Sequence, residues 1–188
     1  FDAKGQGCVY DLKQMSGDEV SELSSMCDIT LDRAEEIVPH SNAVFFGKEY
    51  YAEGDDFPLL YSNIYNNYAK QPDPLCGVCC VYRLQRDGDR FFTTLLQLIE
   101  VGFTDDKTLW RSAGETVDVR PYGNFVADVD QGVYHAFVMR DEDQTTRYFS
   151  FDLPRVTDGG VDERFGIRRV KLSAADIRDW FDVPYHRY

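Results

Sequence analysis

The stretch GVCCVYRLQRDGDRFFTTLLQLIEV, Gly77 to Val101, reads as two strands and the turn that joins them. GVCCVYRLQ (Gly77 to Gln85) and FFTTLLQLIEV (Phe91 to Val101) are apolar or alternating runs. Both are rich in the β-branched and aromatic residues that suit a pleated surface. Between them stands RDGD, in which Asp87-Gly88 supplies the positive φ angles of a two-residue hairpin.

Reading outward, the same grammar repeats. FPLLYSNIY (Phe57 to Tyr65) precedes the hairpin across NNYAKQPDP, and NAVFFG (Asn42 to Gly47) precedes that across the loop KEYYAEGDD. Downstream come NFVADV (Asn124 to Val129), VYHAFVMRD (Val133 to Asp141), TTRYFSFDL (Thr145 to Leu153) and IRRVKLS (Ile167 to Ser173), each bounded by turn residues. Near the start, GCVYDLKQ (Gly7 to Gln14) and VSELSSM (Val20 to Met26) read as two further strands. Helical signals are confined to DITLDRAEEI (Asp28 to Ile37) and SAADIRDWF (Ser173 to Phe181). In the second, Ser173 with Asp176 three residues on imitates a capping box. The fold class expected is all-β.

VPHSN (Val38 to Asn42), RPYGN (Arg120 to Asn124) and VPYHRY (Val183 to Tyr188) each set a proline and a ring before small or polar residues. Pro39, Pro121 and Pro184 lie 82 and then 63 residues apart. Proline cannot donate to a ladder, so it suits the residues leading into a strand. On these repeated four-strand meanders the chain resembles a β-propeller, the family of bladed four-stranded repeats. The resemblance implies the end of one blade over 1–37, blades over 38–103 and 115–182, and the start of another over 183–188. That is one β-propeller-like domain holding about half a ring, the rest belonging to the same parent protein or to a partner chain. A β-sandwich or barrel is the alternative.

With 188 residues, 43% of them hydrophobic and 14% aromatic, the composition is that of a folded domain with a real core. The formal charge of −13, with Lys and Arg scattered, leaves no basic stripe for phosphates and makes nucleic acid an unexpected partner. No apolar run approaches the roughly 18 residues of a membrane-crossing helix, so no membrane insertion is expected. The first residue is Phe1, which reads as a processed or partial start. With the acidic surface and aromatic loops, it points to a secreted or cell-surface protein.

In the propeller reading, the first strand of each blade lines a central channel, and the proline-led stretches meet at its mouth. His40, Ser41 and Asn42, then Arg120, Tyr122 and Asn124, then Tyr185, His186 and Arg187 supply imidazole, amide, phenol and guanidinium groups there. Such a set suits sugars, carboxylates or a peptide. His135 alternates with apolar neighbours and is expected to be packed and hydrogen-bonded. Tyr50, Tyr51 and Tyr68 are loop rings able to stack on a ligand, whereas the strand aromatics are expected in the core.

Of Cys8, Cys27, Cys76, Cys79 and Cys80, the CGVCC group has CxxC spacing but no second ligand pair elsewhere. Within a strand Cys79 and Cys80 point to opposite faces, so they are expected to be buried small hydrophobes, and no metal is expected. The acidic turns at Asp55-Asp56, 87–89, Asp105-Asp106 and 141–143 do not match a calcium loop. No Gly-rich phosphate loop or G-x-S-x-G elbow occurs, so no cofactor is expected. The leading expectation is a non-enzymatic module that binds a glycan or protein ligand at the channel mouth. A polysaccharide hydrolase or lyase would use His40 or His186 as acid/base, with Tyr122 or Arg120 steadying charge. A structural or assembly module would use exposed sheet faces.

Overall fold

A computed structural model describes residues 1–15, 23–64, 75, 78–101, 119–140 and 145–184. Strands β1 (Gln6–Val9) and β2 (Cys27–Thr30) form a small antiparallel pair, followed by a single helical turn, α1 (Ala34–Ile37). Next come β3 (Ser41–Phe46), β4 (Leu60–Ile64), β5 (Val78–Asp87) and β6 (Arg90–Val101), a continuous antiparallel meander. A second antiparallel set follows: β7 (Val119–Asp128), β8 (Val133–Arg140) and β9 (Thr145–Asp152). The chain ends with β10 (Gly160–Val161), β11 (Arg168–Leu172) and β12 (Ile177–Pro184). The order is β10-β11-β6-β5-β4-β3 in a six-stranded sheet and β12-β9-β8-β7 in a four-stranded one. The all-β class stands; neither sheet closes on itself among the described residues.

The hairpin at the centre of the sequence forms in register from Val78↔Glu100 to Asp87↔Arg90. Its turn is centred one residue later than read, on Gly88-Asp89, with Gly88 at φ 59°. Positive φ at the first central position alone is the II′ pattern, which Gly tolerates without a Cβ penalty. A register shift beside Val81 and Tyr82 leaves Leu96 as the extra residue of a bulge.

The two sheets face one another across a shared core. Tyr134, Ala136, Phe149 and Phe151 from the four-stranded sheet meet Tyr61, Cys79, Val81, Ile99 and Leu172 from the six-stranded one. The opposite face of the larger sheet carries Leu60, Ile64, Val78, Cys80, Tyr82, Leu95 and Leu98, covered by Leu31, Ala34, Ile37, Leu75 and Phe165. β4 and most of β5 are therefore buried on both sides, which is why their sequences read as continuous apolar runs. Cys79 lies in one core and Cys80 in the other, as strand alternation requires. Each fully buried aromatic or aliphatic side chain here stabilises the fold by about 2 kcal/mol.

Several sequence readings are corrected. IRRVKLS is not the fourth strand of the second meander: β11 crosses to the other sheet and pairs in parallel with β6, Arg168↔Gln97 to Leu172↔Val101. The fourth place is taken by β12, in a segment read as a connection and a helix. The capping residues do meet, since the Ser173 backbone N–H and hydroxyl both donate to Asp176 Oδ2, at 2.7 and 2.9 Å, but they cap only one 3-10 turn. DITLDRAEEI likewise splits between β2 and α1. GCVYDLKQ is strand only to Val9 and passes into a 3-10 turn at Leu12–Gln14, and the described part of VSELSSM, 23–26, is not strand but leads into β2.

Polar contacts fix the crossover. Arg169 Nη1 lies 2.8 Å from Asp162 Oδ2, and its Nη2 lies 3.0 Å from Glu100 Oε2, tying the β10–β11 hairpin to β6. Gly159 has φ +91°, and a Cβ there would lie 2.2 Å from the Arg169 carbonyl oxygen, so only glycine fits. Gln97, fully buried, donates through Nε2 to the carbonyls of Arg155 at 2.7 Å and Asp158 at 3.2 Å, anchoring the loop after β9. Gln97→Leu strips both carbonyls of their donor and is expected to cost about 2 kcal/mol, read as a lowered midpoint in urea unfolding with an unchanged slope.

Candidate binding surface

Pro121 and Pro184 sit on sheet-edge strands, and Pro39 lies two residues before a third edge strand, β3, as expected of a strand lead-in. Pro121 instead lies inside β7, where the register shifts between Arg120 and Asn124, and Pro184 ends β12 opposite Thr145. Their common feature is an edge, where a missing N–H costs no ladder bond and discourages further pairing.

The described parts of the proline-led stretches fall at strand ends and at a bulge. β3 and β7 lie alongside each other, and the residues just after both strands, Lys48-Glu49 and Val129 to Gly132, line one cleft of about 500 Å³ together with Leu153 and Pro154. In the four-stranded sheet Val119, Arg140, Thr145 and Pro184 form one row, so β12 ends level with the start of β7. Three strand spacings, about 14 Å, separate them.

Around these stretches, Pro39 is buried and His40 exposed, with φ 40° and its N–H donating to the Ala3 carbonyl at 2.9 Å. Val38 also has positive φ, 49°, an uncommon conformation for a β-branched residue. The Ser41 and Ser62 hydroxyls share a hydrogen bond of 2.7 Å. Arg120 pairs with Met139 and Asn124 with Phe137 along the backbone, while Tyr122 falls in the irregular register between them. Asn42 lies within β3. Tyr185, His186 and Arg187 lie outside the described residues, as do Tyr68, Cys76, Asp105-Asp106 and 141–143.

His135 is not packed as expected. Tyr134 and Ala136 occupy the buried face of β8, so alternation turns His135 to solvent. It belongs to a row running Val126, His135, Ser150 and Asp179 across the outer face of the four-stranded sheet. The next row on that face holds Phe137, Tyr148 and Phe181. Their ring centroids are 5.7 Å apart for Phe137–Tyr148 and 5.3 Å for Tyr148–Phe181. Tyr148 is 40% exposed and Phe181 58%. These strand aromatics were expected in the core. Their parity relative to Tyr134 and Phe149 is the signal that separates them from it.

Ionisation shifts fall on ion pairs, on the core and on Asp2, whose carboxyl is lowered by the backbone N–H groups of Gln6 and Lys4. Burial pushes the Cys80 thiol up to about 12 and raises those of Cys79 and the Tyr134 phenol, whose Sγ and hydroxyl lie 2.8 Å apart. Cys8, Cys27, Cys79 and Cys80 are all free thiols. Among the described residues no group of His, Cys, Asp and Glu is arranged to hold a metal ion, and no helix is long and apolar enough to cross a membrane. No family model, curated protein or solved structure gives a significant match to the chain.

The loop after β3 is held by one ion pair. Arg83 Nε donates to Asp55 at 3.1 and 3.0 Å, and the guanidinium carbon sits 5.1 Å from the Tyr51 ring centroid. The Arg83 hydrogen bonds hold the Asp55 carboxyl below the usual carboxylate range. A lowered folded-state value means that the contribution is complete above an unfolded-state pKa of about 4 and is lost as pH falls through the lowered value. Amide hydrogen exchange over 48–58 is therefore expected to accelerate as pH falls below about 4 relative to Asp55→Asn, which should show no such acid-dependent step.

Proposed function

We propose that the protein is a ligand-binding module that holds a glycan against the outer face of its four-stranded sheet. The observation carrying this reading is the outward-facing row of half-buried Phe137 with exposed Tyr148 and Phe181, flanked by the imidazole, hydroxyl and carboxylate of His135, Ser150 and Asp179. Rings supply apolar contact to the C–H faces of a sugar, and the neighbouring row supplies donors and acceptors for its hydroxyls. A hydrolase or lyase would want two titratable groups with displaced ionisation near one another in one cleft. Among the described residues the displaced carboxyls are Asp2 and Asp55, which share no lining.

A second reading is favoured by the same row: assembly, with this face packing on another sheet. A bladed ring would belong to that reading, with the outer sheet face packed on a neighbouring blade. The polar row weighs against it. Burying the Asp179 carboxylate against an apolar sheet costs several kcal/mol unless it is paired, about as much as the rings would contribute.

The test is electrophoresis through gels containing soluble neutral polysaccharides (glucans, mannans, xylans). The native chain is expected to be retarded by at least one of them. Tyr148→Ala/Phe181→Ala should bind about thirtyfold more weakly, at about 1 kcal/mol per ring, with its unfolding midpoint unchanged. No retardation by any polysaccharide, or equal retardation of both proteins, overturns the glycan reading. Concentration-dependent sedimentation lost in the same variant would establish assembly instead.

A further inference from the structure

On the far side of the molecule from that surface, the β1–β2 pair lies against the outer face of the six-stranded sheet, and a groove of about 340 Å³ runs beside it. Phe1, Tyr10, Val44, Phe46, Phe57 and Phe91 are among the residues that line it. Phe46 stands opposite Leu60, whose side chain belongs to the outer face, so alternation sends Val44 and Phe46 to that face as well. Among the described residues every side chain lining the groove is uncharged, on a chain whose formal charge is −13.

Folding leaves this patch largely uncovered. Tyr10, Phe46 and Phe1 remain 47%, 46% and 42% exposed, and Val44 36%. At about 200 Å² for a whole aromatic side chain, and with half-buried Phe57 and Phe91 added, about 400 Å² of apolar surface stays in water here. One side of a standard protein interface covers about 800 Å², a little over half of it apolar, so this single patch supplies the apolar share that a stable dimer needs. Its shape also suits its own copy. A cavity of about 150 Å³ holds one benzene ring, so the groove has room for about two, and Tyr10 and Phe46 stand half clear of the surface beside it. A patch that carries both ring and receptacle is complementary to itself, as a two-fold contact requires. Two acidic chains can meet there without burying an unpaired carboxylate.

We propose that this patch is a homodimer interface, in which two copies meet about a two-fold axis and each sets its Phe46 and Tyr10 rings against the other's groove. The test is sedimentation equilibrium from about 1 to 500 µM, the range in which a micromolar contact becomes populated. The native chain is expected to pass from monomer to dimer. It should do so more readily as salt rises from about 0.05 to 0.5 M, because screening relieves the repulsion between two chains of charge −13 and leaves the apolar contact intact. Phe46→Ser is expected to weaken the dimer about thirtyfold, since each change counts twice about the axis. Tyr10→Ser is expected to weaken it about tenfold; Tyr10 follows β1 and lies in no strand, so this variant carries the test even where Phe46→Ser perturbs β3. Tyr148→Ala/Phe181→Ala, on the opposite face, should dimerise like the native chain. A monomer over the whole range, or a dimer unchanged in Tyr10→Ser, would overturn the proposal. So would a dimer that dissociates as salt rises, or one lost in Tyr148→Ala/Phe181→Ala.

Discussion

Tyr134 is the point on which the arrangement turns. Its ring stacks on Phe151 at 5.0 Å within its own sheet and meets Phe45 at 5.8 Å and Tyr61 at 6.1 Å edge-on across the gap. Its hydroxyl, 2.8 Å from Cys79 Sγ, finds the one kind of partner an apolar gap offers. A side-chain period of two leaves no freedom once this residue faces inward. Ala136 must follow it into the core, while His135 and Phe137 must face out. The exposed ring row is thus a consequence of how the interior packs.

Much of the strand inventory was legible because strands buried on one face alternate and strands buried on two faces run apolar. The hairpin of β5 and β6 is the clearest case, since its turn chemistry and both flanks agree. What the sequence could not convey was partnership. Arg168 to Leu172 has the alternation of any strand, and nothing local says that it crosses to β6 rather than following β9. The choice is made by Leu172 reaching the inter-sheet core and by Arg169 finding Glu100 and Asp162. β12 was hidden for a related reason: IRDWFDVP mixes charges and rings because both faces of an overhanging edge strand meet solvent. The prolines were visible, but their meaning was edge protection as much as strand initiation.

The candidate surface was less legible than the fold. An exposed strand aromatic looks like a core aromatic until its parity against a known interior residue is fixed. That parity required Tyr134 and Phe149 to be placed first. The loop rings fared better: Tyr50 and Tyr51 are exposed as expected, and Tyr51 is held beneath Arg83. The two described acidic turns serve structure, with Asp55 paired to Arg83 and Asp89 lying 3.6 Å from Arg86.

The parallel seam between β6 and β11 also constrains how the chain reaches its native state. Arg168 meets Gln97 across 71 residues of sequence, and the four-stranded sheet is spelled out almost entirely in between. Closing so long a loop carries an entropic cost before the seam returns any contact. During synthesis the larger sheet must therefore wait, with the outer edge of β6 uncovered, until Leu172 has emerged. Docking of that late strand is then the step at which both layers become mutually committed.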